Sequence, residues 1–437
     1  MKITVIGLGY VGLTTAVCLA KKGNIVIGID KDKEKVKKLS TGIPIFYEEK
    51  MKEFLNDTLK NGKLNFTDDE KVAYSNSSVI YICVGTPNDN YGVTNLRYLY
   101  EAIDEIIENT IDNKIIVIKS TVPVGTGDDI EKYINKRNKT GMIEIVSNPE
   151  FLSQGTAVND MMNGSRIVIG TLNNEVRNVM SNIYKNFETP LFFTDRCSAE
   201  MIKYASNSFL ALKISYINEI ANLCECVNAN VEDVAIGMSY DDRIGNKFLK
   251  PGVGYGGSCF PKDTRAFVNL AYKKGAYLNI INELIKVNDR QNFILLQKAK
   301  KYYSTFNKLK IAILGLTFKA NTDDLRESPA LKNIEILLNS GAEITAYDPK
   351  ATSNAKKIYP QFKYCFSIEE ALINADICFI FTDWDEIRKF DVNNFSNFMK
   401  IPIVIDGRNC YDTKLMKGVN IIYESVGRSV IKNTNLE

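Results

Sequence analysis

Residues 2–6 form a short apolar run, Lys2-Ile3-Thr4-Val5-Ile6, and Gly7-Leu8-Gly9-Tyr10-Val11-Gly12 follows without a break. Residues 13–22 then carry a helical pattern closed by Gly23, and a second apolar run, 24–29, ends at Asp30. A strand, three glycines, a helix and a second strand ending in an acid restrict the chain to very few folds. The glycines permit a tight turn and a close backbone approach, so a pyrophosphate can rest on the helix N-terminus. Gly7, Gly9, Tyr10, Val11 and Gly12 are therefore candidate cofactor residues. Asp30 is placed to accept hydrogen bonds from adenosine ribose hydroxyls, and its charge repels a 2′-phosphate. NAD is expected over NADP.

The strand–helix alternation continues in three further apolar runs. Residues 78–84 end in Gly85-Thr86-Pro87, 114–120 in Thr121-Val122-Pro123, and 143–147 in Asn148-Pro149-Glu150. In an open parallel sheet ligands collect at the carboxyl ends of strands, where Thr86, Thr121 and Glu150 fall. Two more apolar runs, 166–170 and 191–194, complete a first α/β domain over 1–196. A second, smaller α/β unit over 306–437 opens with the same rhythm at 309–316, followed by strands at 343–347, 377–381 and 402–405. It lacks GxGxxG. Phe318, Lys319 and Arg408 at its strand ends suggest an aromatic and cationic site suited to a nucleotide base and phosphates.

The middle, 197–305, reads as helical. Residues 198–228 contain neither Gly nor Pro and make roughly 45 Å of helix, enough to run from one domain into the next. Met201, Ala205, Phe209, Leu212, Tyr216, Ile220 and Leu223 form an apolar stripe, and residues 278–306 predict a second helical stretch. Lys203 and Asn207 lie four apart and share a face, which serves equally a solvated polar side or a site. Between these helices stands Gly252-Val-Gly254-Tyr-Gly256-Gly257-Ser258-Cys259-Phe260-Pro261-Lys262-Asp263. Four glycines let backbone approach a ligand or turn sharply, and a thiol, an ammonium and a carboxylate follow at once. A cysteine beside a cation exists partly as thiolate, the form that attacks carbonyl carbon. Phe248 and Lys250, just ahead of the glycines, suit an anionic ligand with a ring.

Composition narrows the chemistry. Histidine is absent, so acid and base work falls to Lys, Asp, Glu or Cys, and no metal site is indicated. Fifty-five basic against 52 acidic residues give +3, too balanced for an electrostatic grip on nucleic acid. No apolar run approaches the roughly twenty residues of a membrane span. The first strand begins at Lys2, leaving no room for a signal peptide, and the nine cysteines are scattered without a CxxC. A reduced, cytoplasmic protein is expected.

Taken together these motifs resemble the UDP-glucose 6-dehydrogenases and, more broadly, the nucleotide-sugar 6-dehydrogenases of the UDP-glucose/GDP-mannose dehydrogenase family. The resemblance runs over the whole chain. Besides Gly7 to Gly12, it is carried by Ser120-Thr-Val-Pro, Asn148-Pro-Glu-Phe-Leu152 and Ala199-Glu-Met-Ile-Lys203-Tyr-Ala-Ser-Asn207. Gly256 to Asp263, Gly315-Leu-Thr-Phe318-Lys319 and Asp406-Gly-Arg408 complete the set. It implies an NAD-binding Rossmann domain, a helical region bearing a homodimer contact, and a C-terminal Rossmann-like domain holding UDP. It also implies four-electron oxidation of the C6 alcohol of UDP-glucose to UDP-glucuronate, a precursor for polysaccharide biosynthesis, with two NAD reduced. By carry-over, Cys259 captures the C6 aldehyde as a thiohemiacetal that becomes a thioester. Lys203 and Asn207 stabilise oxyanions, Asp263 and Thr121 handle water, and Glu150 assists hydrolysis. Lys35, Thr86, Thr121, Lys262 and Arg326 join the cofactor set. Phe151, Leu152, Lys203, Asn207, Phe248, Lys250, Gly256, Phe318, Lys319 and Arg408 form the substrate set, and Arg243 resembles an arginine reaching in from the neighbouring subunit. Gln154 departs from the pattern, standing where relatives often carry an acid.

The chemistry fits independently. A second hydride must leave a tetrahedral carbon, which requires aldehyde hydration or a covalent thiol adduct, and a histidine-free chain with clustered Cys, Lys and Asp suits the thiol route. Such a cluster predicts a lowered thiol pKa. Three other readings remain. A UDP-N-acetylhexosamine 6-dehydrogenase would share the mechanism, but Ser258 and Lys262 favour UDP-glucose. A two-electron hydroxy-acid dehydrogenase gives no use for Cys259, and a non-catalytic nucleotide-sugar sensor gives none for an intact Cys259, Lys203 and Asp263.

Overall fold

Alternate residues of the predicted strands are apolar on both sides, the mark of strands covered on both faces. The computed structural model describes residues 1–75, 77–89, 91–110, 112–137 and 141–434. The chain divides into two compact units, Met1–Ser206 with Arg265–Ala276, and Asn207–Thr264 with Tyr277–Glu437.

The first unit holds strands β1 (Lys2–Ile6), β2 (Ile25–Ile29), β3 (Leu64–Thr67), β4 (Val79–Ile82), β5 (Lys114–Ile118), β6 (Ile143–Ser147), β7 (Ile167–Gly170) and β8 (Leu191–Thr194). Among the described residues they form one sheet in the order β3-β2-β1-β4-β5-β6-β7-β8. Its pairings are parallel except β6 with β7, which meet antiparallel at Ser147 and Gly170. Val79 and Tyr81 of β4 enter one apolar cluster while Ile80 and Ile82 enter another, so successive residues feed the layers on opposite faces. Each such buried side chain contributes about 1.5–3 kcal/mol.

The second unit repeats the design with β9 (Lys310–Leu314), β10 (Glu343–Tyr347), β11 (Lys363–Tyr364), β12 (Ile377–Ile380), β13 (Ile403–Asp406), β14 (Ile422–Ser425) and β15 (Ile431–Lys432). The order is β11-β10-β9-β12-β13-β14-β15, parallel but for β15. Both sheets are α/β, as the alternation predicts.

The long helix is found at Arg196–Val227 and carries both Lys203 and Asn207, one turn apart. The second helical stretch is not continuous. It splits into Asn279–Gln291 and Ile294–Ala299. The Asn292 carbonyl accepts from the Asn333 side chain at 2.7 Å, and Asn292 itself is fully buried. A side chain distant in sequence has taken the carbonyl that another helical turn would use. The segment from Gly252 is also more ordered than a glycine loop suggests, because the helix Phe260–Lys273 begins directly after Cys259. Among the described residues no helix is long and apolar enough to cross a membrane.

Candidate active site

The carboxyl edge of the first sheet is organised by the turn after β1. Helix Tyr10–Lys21 starts there with no side chain among the described residues capping its N-terminus. A Cβ at Gly12 would sit 1.8 Å from the Gly7 carbonyl, so only glycine lets the helix close on the strand. A Cβ at Gly9 would meet nothing within 4 Å. Uncapped N–H groups, the positive end of the helix dipole and open space at Gly9 fit a dinucleotide pyrophosphate. At the end of β2, Asp30 accepts from the Leu8 N–H and from Lys35 Nζ, each at 2.8 Å. Its carboxylate thus braces the turn it borders, and Lys35 is its ion-pair partner. Tyr10 stacks on Phe46 with centroids 4.4 Å apart, and Val11 packs on the core. The Thr86 hydroxyl donates to the Thr121 carbonyl at 2.8 Å and ties the ends of β4 and β5 together.

Deeper in the same unit lies a charge cluster. Lys203 Nζ donates to Glu150 Oε1 at 2.8 Å and to the Glu150 carbonyl at 2.7 Å, and both residues are buried. Burial alone would raise the Glu150 carboxyl; Lys203, the Leu152 N–H and Lys119 outweigh it and hold the group below its ordinary value. Phe151 offers its ring to Arg166 at 4.1 Å and to Lys203 at 5.7 Å. Thr121 and Lys203 line one small cavity with Ser120, Pro149 and Glu200. Gln154 is buried, and its side-chain oxygen has no hydrogen-bond partner among the described residues.

In the second unit Cys259 stands at the N-terminal edge of its helix, where the dipole favours an anionic sulfur, with Lys262 and Asp263 in the first turn. Asp263 is 1% exposed. One of its oxygens accepts from Asn207 Nδ2 at 2.7 Å and the other pairs with Lys262 Nζ at 2.7 Å. Arg326 is bidentate on Asp324 and lies within electrostatic range of the Cys259 sulfur, and its carbonyl accepts from the Gly257 N–H. The glycines approach the chain itself. A Cβ at Gly256 would lie 2.3 Å from the Glu327 carbonyl, and one at Gly257 would strike the Phe318 ring.

Arg408 follows β13 and gathers the strand ends of its unit. Its Nε donates to the Phe381 carbonyl at 2.8 Å and an Nη to the Phe318 carbonyl at 2.7 Å. Lys319 Nζ sits 5.7 Å from the Phe318 ring centroid. Lys250 pairs with Asp383 at 2.8 Å. Phe248 holds a left-handed φ of 65°, rare for a bulky residue, with its ring 6.4 Å from Phe260. Arg243 is bidentate on Asp241 with its side chain 89% exposed.

Several side chains outside the sequence expectations belong here. Lys119 is buried beside Glu150 and Lys203; its only sequence signal is a charge closing the apolar run Ile115-Ile-Val-Ile118. Asp406, part of the Asp406-Gly-Arg408 motif but given no role there, accepts from the N–H groups of Arg408 and Cys410 and from the Tyr423 hydroxyl, and so fixes the turn that carries Arg408. Asp383, the partner of Lys250, stands in the turn Thr382-Asp383-Trp384 that ends the apolar run 377–381, and the sequence gave it no role.

Comparison with known proteins accounts for all three stretches. Residues 1–188, 197–290 and 312–413 match the NAD binding, central and UDP binding domains of the UDP-glucose/GDP-mannose dehydrogenase family. UDP-glucose 6-dehydrogenase YwqF of Bacillus subtilis is 43% identical over 433 residues, covering 99% of this chain and 98% of its own. The UDP-glucose 6-dehydrogenase of Rhizobium meliloti is 44% identical, covering 98% of this chain and 100% of its own. Among solved structures, a UDP-glucose dehydrogenase from Pyrobaculum islandicum superposes with a TM-score of 0.92 at 32% identity, covering 98% of both chains. Matched along nearly its whole length, the chain belongs to the UDP-glucose/GDP-mannose dehydrogenase family and is an NAD-dependent oxidoreductase.

Proposed function

We propose that this chain oxidises UDP-glucose at C6 to UDP-glucuronate in two successive two-electron steps, with Cys259 as the covalent nucleophile. The observation that carries this reading is the thiol at a helix N-terminus followed within the first turn by Lys262 and the buried, Asn207-bonded Asp263. The names of the relatives at 43% and 44% identity support the substrate. NAD bound at the Gly7–Gly12 turn supplies the acceptor for the hydride that leaves C6 in each oxidation. Phe318, Lys319, Arg408, Phe248 and Lys250 hold the UDP moiety, while Phe151, Leu152 and Gly256 border the sugar.

In the first oxidation the C6 hydroxyl proton passes to water ordered by Asp263 and Thr121. The Cys259 thiolate then forms a C–S bond to the aldehyde carbon, and Lys203 and Asn207 donate to the oxygen that gains charge. After the second oxidation the C–S bond remains as a thioester. Water, deprotonated with help from Glu150 and Asp263, adds to the carbonyl carbon; the C–S bond breaks and the thiolate is restored. The sum is one alcohol, two NAD and one water giving one carboxylate, two NADH and three protons.

Phe209, Tyr216 and Leu223 recur at seven-residue spacing on helix Arg196–Val227 and are 61%, 46% and 57% exposed, which supports a homodimer through that face. The exposed Arg243 would then serve the second copy's substrate. The cytoplasm, where thiols stay reduced, suits buried Cys18, Cys83, Cys224, Cys365 and Cys378. We assign residues 1–196 to NAD binding, 197–305 to dimerisation and the thiol segment, and 306–437 to UDP binding.

The test is NADH formed per sugar nucleotide consumed, for wild type and Cys259→Ser, with UDP-glucose and UDP-N-acetylglucosamine side by side. Two NADH per UDP-glucose, with turnover collapsing in the variant, is expected. One NADH per sugar or an unaffected variant overturns the covalent reading, and preference for the acetamido sugar changes the substrate.

A further inference from the structure

Strand β5 is apolar from Ile115 to Ile118, yet Lys119, the next residue, is 3% exposed. Burying an ammonium is costly, and an apolar chain of the same length would fill the space without that cost. Lys119 Nζ donates to the Asn148 side-chain oxygen at 3.2 Å and to the Asn148 carbonyl at 3.4 Å. The same side-chain oxygen accepts from the Tyr184 hydroxyl at 2.7 Å, and Asn148 Nδ2 donates to the Val168 carbonyl. Tyr81 donates to the Tyr184 hydroxyl at 3.3 Å. Asn148 thus lies at the centre of a buried polar chain, and Asn148-Pro149-Glu150 is the turn that delivers Glu150 to Lys203.

The groups facing Lys119 come from every element around it. Glu150 attracts it, Lys203 of helix Arg196–Val227 repels it, and Cys83 stands at the end of β4. Burial pushes the Cys83 thiol up to about 12 and the Tyr81 and Tyr184 phenols well above their ordinary value, so these three stay neutral near pH 7. Two ammoniums therefore lie within electrostatic range of one carboxylate, which is hydrogen-bonded to Lys203.

We propose, resting on the roles given above to Glu150 and Lys203, that Lys119 is a positioning residue of the oxidation. Through Asn148 it holds the turn that presents Glu150, and through its charge it keeps Glu150 from binding Lys203 too tightly. A second cation beside Glu150 weakens the hold of that carboxylate on the Lys203 proton. Burial brings Lys119 itself down to about 8, within reach of the working pH.

The test pairs kinetics with a readout that needs no turnover. Lys119→Met removes charge and hydrogen bond together, whereas Lys119→Gln keeps an amide donor for Asn148. The pH profile of kcat/KM for UDP-glucose is measured for both. In parallel the Lys203 side chain is titrated by carbon NMR of ε-labelled lysine without substrates, its resonance assigned with Lys203→Arg. Lys119→Met is expected to lower kcat about tenfold, as loss of an orienting outer partner does. Its KM for UDP-glucose should change less than about threefold. In the wild type the two ammoniums lose their first proton near pH 8 as a coupled pair, so in Lys119→Met the Lys203 resonance and the alkaline limb should lose that step and titrate higher. Lys119→Gln should recover most of kcat yet keep the displaced titration. An unmoved Lys203 titration in either folded variant, or loss of kcat with an unchanged profile, overturns the inference. Should Lys119→Met fail to fold, Lys119→Gln decides by the same resonance. Absence of UDP-glucose oxidation by the wild type would sink the proposed function, while the NMR titration would still report the coupling.

Discussion

In the first unit β1 runs into Gly7, whose N–H donates to the Ile29 carbonyl, and the Leu8 N–H donates to Asp30 at 2.8 Å. In the second unit β9 runs into Gly315, whose N–H donates to the Tyr347 carbonyl, and the Leu316 N–H donates to Asp348 at 2.8 Å. The strand orders around these turns match as well. The two units diverge at the next helix. In the first it begins at Tyr10, directly on the glycine turn; in the second it waits until Pro329. The intervening chain of the second unit closes over its acid, and Asp348 accepts also from Thr317, Lys350, Ala351 and the Trp384 indole, leaving it 3% exposed. Asp30 is only half-buried. One frame thus supports two binding chemistries, and where the helix begins decides which groups remain for a ligand.

The sharpest way to break this comparison is at the glycines. Gly12→Ala drives a Cβ into the Gly7 carbonyl and should cost about 3 kcal/mol in denaturant unfolding, with NAD binding lost. Gly9→Ala meets only open space, so it should keep stability and UDP affinity while weakening NAD binding by calorimetry. Equal unfolding effects from the two would show that the turn geometry is misread.

The acids come next. Asp348→Asn leaves buried N–H donors with a poorer acceptor and should destabilise by about 2–3 kcal/mol. Asp30→Asn should cost less stability and chiefly raise the NAD dissociation constant. Arg408→Lys loses one of its two carbonyl contacts and the planar fork, and should weaken UDP about tenfold, or about 1.4 kcal/mol, with NAD unaffected.

Ion pairs differ between the units too. Glu150 is held below its ordinary value of 4.5, so its contribution is present above that pH and is lost as pH falls through the lower folded value. Lys203→Met should weaken this acid sensitivity and cost about 3 kcal/mol at neutral pH, because it leaves the buried carboxylate without its ion-pair partner, with only the Leu152 N–H and the charge of Lys119 to offset burial. Lys250, 55% exposed, pairs with Asp383 at the surface, and Lys250→Met should cost under about 1 kcal/mol in the same measurement.

What the sequence made legible was local. Gly7 to Gly12, the helix Arg196–Val227 and the run from Cys259 to Asp263 each place their chemistry by spacing along one element. What it hid depends on partners far along the chain. Asn333 ends a helix at Asn292, 41 residues away, and Tyr423 steadies Arg408 through Asp406. Lys119 becomes meaningful only once Asn148 and Lys203 are brought beside it. Spacing rules reach one or two helical turns; a carbonyl taken by a distant side chain leaves no periodic mark.

The covalent role of Cys259 is tested most directly by acid-quenching the wild-type enzyme during turnover of UDP-glucose with NAD and weighing its cysteine peptides. The expected result is a UDP-glucuronyl thioester on the Cys259 peptide, accumulating when hydrolysis is slowed by Glu150→Gln. Two NADH per sugar with no adduct on that peptide, or an adduct on another cysteine, would contradict it.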